Sequence, residues 1–148
     1  MAPFKALFPL DGSEQTFKAV ETGLQVLSGV KDAQATFLVV ISKKLRDMPA
    51  EAREHLTEDD DDEVFIRDDE AQEVIDQAKA LAKKVKFAKV EGKIAIDDVK
   101  RAILAEAGKH NVLVMHRLDR DERREHSHNS LTEALAREAL CDVWLINA

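Results

Sequence analysis

Three places in the 148 residues gather side chains that could do chemistry. Asp11-Gly12-Ser13 follows the first apolar run and offers a carboxylate and a hydroxyl at a turn. Between positions 116 and 130 stand His116, His126 and His128, with Arg117, Arg120, Arg123 and Arg124 among them. Glu58 to Glu63 is an unbroken run of acid. Metal binding, anion binding and acid–base catalysis are the chemistries such residues supply. Metal binding finds little support: His126-Ser127-His128 has a spacing used by metal sites, but no Cys or third ligand on a regular element accompanies it, and structural zinc takes four. The acidic run lacks the EF-hand pattern, since Val64 stands where the loop glycine belongs, and it reads as solvated acid. There is no Gly-x-x-x-x-Gly-Lys-Ser/Thr loop and no Gly-x-Gly-x-x-Gly. Cys141, beside the last apolar run, reads as a small buried hydrophobe. The expectation is a protein with no bound metal and no catalytic residue.

Charge narrows the partners. The formal net charge is −7 and the sequence pI about 5.3, which repels the phosphates of a nucleic acid. No basic amphipathic stretch offers itself to an anionic membrane, and no apolar run is long enough to span one. One cysteine permits no intrachain disulfide, which fits a reducing compartment. The first residues lack the pattern of a secretion signal, and the cytoplasm is the expected location. With aromatic residues at 5%, the core must come from Val, Leu, Ile and Ala, as in helices packed on a parallel sheet.

The elements that position these residues follow from periodicity. Phe4 to Leu10 predicts strand one, with Pro9 awkward near its carboxyl end. Ser13 is placed to cap a helix carrying Phe17, Val20, Leu24 and Leu27, which Gly29 can close. Ala35 to Ser42 predicts a fully buried second strand. Positions 43 to about 67 show no periodicity; a stretch of that length is usually a lid or disordered. Ala71, Val74, Ile75, Ala78, Leu81, Ala82 and Val85 form the clearest amphipathic helix. Val85 to Glu91, with Lys84, Lys86 and Lys89 interleaved, predicts an edge strand. Val99, Ile103 and Ala107 mark a helix stopped by Gly108, and Val112 to Met115 is strand four. A polar loop from His116 to Asn129 precedes a helix over roughly Ser130 to Leu140, and Val143 to Ile146 is the last strand. Alternating strands and helices of this kind make a doubly wound α/β sheet with helices on both faces. One domain over 1–148 is expected, carrying an insertion-like acidic loop at about 43–68.

Two stretches together resemble the universal stress protein family. One is Phe4-Lys-Ala-Leu-Phe-Pro-Leu-Asp-Gly-Ser13 with its helix; the other runs from Val90-Glu-Gly92 through Asn111-Val-Leu-Val-Met115 and Asn129-Ser130 to Cys141-Asp-Val-Trp-Leu-Ile146. The resemblance implies a five-stranded parallel sheet of order 3-2-1-4-5, like that of the adenine nucleotide alpha hydrolases. It places a ligand crevice at the carboxyl ends of strands one and four, where strand order reverses. By the same resemblance Asp11 meets a ribose or adenine, its alternative role being to stabilise the first turn. Val40 matches the position near the adenine base, although a buried Val in a strand is core by default; Gly12, Ser13 and Met115 complete the expected binding set.

Nucleotide-binding members are similar to one another in a glycine pattern after strand four, whose backbone N–H groups approach phosphates. Here the matching positions are His116, Asp119 and Asn129. The five glycines all lie elsewhere. Asn129 is the mildest change, because Asn tolerates the left-handed conformation, whereas Asp119 brings negative charge to the phosphate path. The loop arginines could replace backbone donors, but Asp119, Asp121, Glu122 and Glu125 match them one for one. Ser130-Leu-Thr-Glu133 is a capping box, so helix capping is the main role expected of Ser130.

A phosphorelay receiver would close strand three with Asp and strand five with Lys; the expected ends, Glu91-Gly92 and Asn147, do not fit. The apolar edge Val143, Trp144, Leu145 and Ile146 invites pairing with a second copy, and the resemblance implies dimerisation through that strand. The leading expectation is a non-enzymatic, dimeric stress-response protein with a degenerate phosphate loop, no cofactor, and an unknown protein partner. The alternative is a sensor that holds ATP or AMP weakly in the same crevice. A slow ATP hydrolase is weaker still, for want of a base or water-positioning group.

Overall fold

Leu7, Phe37, Leu38 and Val39 have almost no exposed surface, because their strands are covered on both faces. The computed structural model describes residues 3–47, 49, 68–117 and 131–147. In chain order these form β1 (Phe4–Leu10), α1 (Glu14–Leu27), β2 (Ala33–Ser42), α2 (Lys43–Arg46), α3 (Asp68–Lys84), β3 (Val90–Asp97), α4 (Val99–Ala107), β4 (Val112–Arg117), α5 (Leu131–Glu138) and β5 (Asp142–Asn147). Every strand pair is parallel, and the order is β3-β2-β1-β4-β5.

Alternation along each strand divides the core in two, as a period of two must. Ala6, Phe8 and Leu10 join Phe37, Val39 and Val114 under α1 and α3, which contribute Val20, Leu24, Ile75 and Ala78. Leu7, Leu38, Val40, Leu113 and Met115 face the other way, under Val99 and Ile103 of α4 and Leu135 of α5. Two side chains that carry no catalytic pattern hold the frame together. Asn111 Oδ1 accepts the Lys5 N–H at 2.8 Å, joining β1 to the start of β4. The His110 ring bridges the Glu106 carbonyl oxygen (2.7 Å) and Thr36 Oγ1 (3.0 Å), tying the end of α4 to β2.

Strand three differs from its expected place. Val85 and Lys86 end α3 in a turn, with Lys86 at φ 61° and the Phe87 N–H bonded to the Ala82 carbonyl at 2.8 Å. Phe87 is thereby buried against the α3 side of the core. Lys84 and Lys86 belong to a helix end rather than a strand, and Lys89 directly precedes the strand. The strand itself runs Val90–Asp97 and pairs with β2 alone, from Ala35↔Val90 to Ser42↔Asp97, so its edge position stands. The receiver comparison changes with it: β3 closes on Asp97, not on Glu91-Gly92. Arg101 donates to Asp97 Oδ1, and so does the Asp98 N–H at 2.7 Å. Strand five still closes on Asn147, where a receiver needs lysine.

Smaller boundaries shift as well. Helix α1 ends at Leu27 and is capped by the Ser28 N–H rather than by Gly29. A four-residue helix, Lys43–Arg46, stands where no periodicity is visible. Strand β4 runs two residues further than expected, so His116 and Arg117 belong to the sheet, in register with Ile146 and Asn147. No helix among the described residues is long and apolar enough to cross a membrane.

Candidate functional site

Strand order reverses between β1 and β4, and there the carboxyl ends part to leave a crevice. Its floor is aliphatic: Leu38 and Val40 from β2, Met115 from β4, Val99 and Ile103 from α4, and Leu131 and Leu135 from α5. Its polar groups are Asp11, Thr16, His116 and Thr132. The cavity volume is about 80 Å³, a shallow cleft smaller than most small-molecule sites.

Asp11 is the best-supported side chain in this crevice. Gly12, at φ 79°, turns the chain into α1, a conformation that costs glycine nothing. The turn brings the Ser13 N–H to 2.8 Å from Asp11 Oδ1. Ser13 then caps α1, its hydroxyl oxygen accepting the Thr16 N–H at 3.2 Å. The Ser13 hydroxyl donates to Thr16 Oγ1 at 3.1 Å, and the Thr16 hydroxyl donates in turn to Asp11 Oδ1. From the other strand, His116 Nε2 lies 3.5 Å from Asp11 Oδ2. Burial alone would push this carboxyl up. The hydrogen bonds from His116, Ser13 and Thr16 outweigh it and hold Asp11 well below the usual carboxylate range.

Of the residues singled out in the sequence, Asp11, Val40, Met115 and His116 converge on the crevice. Gly12 and Ser13 shape the turn beneath it and do not line it. Asp119, Asn129 and Ser130 lie outside the described residues, as do His126, His128 and the acidic run. Among the described residues no group of three or more His, Cys, Asp or Glu is placed to hold a metal. The Cys141 thiol is pushed up by partial burial and by Asp142, which makes it a poor nucleophile. Sequence reasoning missed Thr16. Its signal was the spacing Asp11…Thr16, which brings a first-turn hydroxyl back over the residue that opens the turn.

A doubly wound sheet with a crevice at the reversal of strand order defines the class of protein. The family model for universal stress proteins matches residues 4–147, and the chain belongs to that family. Solved structures agree on the fold. A universal stress protein in complex with cAMP superposes with a TM-score of 0.70 at 16% identity, over 99% of this chain and 98% of that one. The universal stress protein UspA from Lactobacillus plantarum does so at 0.58 and 16%, over 99% of both chains. A family member from Burkholderia pseudomallei gives 0.64 and 19%, over 97% and 96%. No curated protein sequence matches the chain.

Proposed function

We propose that this chain is a non-enzymatic, dimeric regulatory member of its family, that its crevice has lost tight binding of nucleoside triphosphates, and that it acts through a protein partner. The observation that carries this reading is His116. It occupies the first glycine position of the family's phosphate loop, and its imidazole lies against Asp11. A glycine there lets backbone N–H groups approach a phosphate; an imidazole fills that approach. Asp119 adds like charge further along the same loop. The non-enzymatic part is supported by Asp11, the one carboxylate lining the crevice among the described residues. Held so far below its usual range, it is a weak general base. The dimeric part is supported by β5, an edge strand with Leu145 46% exposed. The test is to denature the purified protein, assay for released nucleotide, and titrate ATP calorimetrically. No released nucleotide and no binding at low micromolar ATP is the expected result; binding at that level overturns the reading.

A second reading, a sensor of ATP or AMP, is favoured by the aliphatic crevice and by the cAMP complex of a relative. The same titration, repeated with AMP, separates the two.

A further inference from the structure

The polar equipment of the crevice is one-sided. Among the described residues its walls carry one carboxylate, one imidazole and two threonine hydroxyls, and no Lys or Arg. In the sequence, residues 118–130 that follow β4 carry three arginines and four acids and so no net positive charge. The two oxygens of Asp11 are unequally engaged. Oδ1 takes the Ser13 N–H and the Thr16 hydroxyl, which uses both of its lone pairs. Oδ2 is engaged by His116 Nε2 at 3.5 Å and, through its second lone pair, keeps acceptor capacity. A strong acceptor beside an aliphatic floor suits a ligand with an apolar body and a donor at one end. The net charge of −7 further favours a cation over an anion.

We infer that the crevice binds a small organic cation, its apolar body on Leu38, Val40, Ile103 and Leu135 and its protonated amine donating to Asp11 Oδ2. The inference rests on the reading that the phosphate cradle is lost, and it reverses the charge of the ligand that such a cradle would select. In a partly open crevice solvent screens the pair, so the preference for an amine over the matching carboxylate is about tenfold rather than absolute.

Three probes of one body isolate the charge: 2-phenylethylamine, 2-phenylethanol and phenylacetate, titrated into the full chain near neutral pH at low salt. The amine binds more tightly than the alcohol and about tenfold more tightly than phenylacetate. Asp11→Asn, which keeps an acceptor for Ser13 and Thr16, brings amine and alcohol to equal affinity. Val40→Trp fills the floor and abolishes binding of all three; Thr132→Trp does the same from the wall if the first variant does not fold. The inference is overturned by phenylacetate binding as well as the amine, by amine binding that survives filling of the crevice, or by no amine binding up to about 10 mM, a limit a fragment-sized ligand should pass. Tight ATP binding would instead overturn the parent reading, so the two failures are distinguishable.

Discussion

His116 Nε2 lies 3.5 Å from Asp11 Oδ2, so a side chain at the end of β4 closes onto one at the end of β1, across the point where strand order reverses. The contact joins the turn after β1 to the end of β4. Asp11 is committed to α1 and to His116, and His116 stands where backbone would otherwise be exposed.

On the proposed reading, replacing His116 should raise affinity for nucleotide. His116→Gly is expected to raise ATP affinity, and the triple change with Asp119→Gly and Asn129→Gly to raise it further, by at least about tenfold overall, the scale of one charge-assisted hydrogen bond. Calorimetric titration measures it. An unmoved affinity in the triple variant would mean that the loop glycines are not what was lost.

Acid should weaken the fold partly through Asp11. Its folded pKa lies below the ordinary unfolded value near 3.9, so its contribution is present above that value and is lost as pH falls below it. Between about pH 5 and pH 2, wild-type urea midpoints should therefore fall more steeply than those of Asp11→Asn. Parallel slopes for the two proteins would show that the hydrogen bonds on Asp11 favour neither protonation state.

The dimer is best tested at Leu145. Trp144 stacks on Phe4 with ring centroids 6.3 Å apart and planes at 27°, so Trp144→Lys would disturb the protomer as well as the edge. Leu145 is 46% exposed on the edge strand, and Leu145→Lys should yield a folded monomer by light scattering at micromolar concentration. A wild-type chain that is already monomeric counts against pairing through β5.

Gly23→Ala should destabilise although alanine is the better helix former. A Cβ at Gly23 would sit 2.7 Å from Phe8 Cε2 and 3.2 Å from Val114 Cγ1. Phe8 cannot easily withdraw, because it packs edge-on against Phe37 with centroids 5.7 Å apart. Overpacking of about 1–3 kcal/mol outweighs a propensity gain of about 1 kcal/mol. Gly29→Ala, where the nearest atom is 3.6 Å away, is the control and should be close to neutral. A higher Tm for Gly23→Ala would refute the packing argument.

The sequence by itself determined the sheet. Buried runs such as Phe37 to Ile41 and helices with apolar stripes at 3.6-residue spacing leave few arrangements other than parallel strands between two helical layers. It also marked Asp11 and His116, one by its place after strand one and the other by the missing glycine. Only the tertiary structure decided that the two meet, because the proximity of residues 105 positions apart depends on strand order and not on local pattern. It also decided where β3 lies. Val85 to Glu91 alternates like a strand, yet Phe87 gains more by closing the end of α3 over the core, and the strand begins at Val90, where β2 supplies hydrogen-bond partners. Local periodicity records which side chains prefer burial, and the choice among partners for that burial is settled only when distant elements pack.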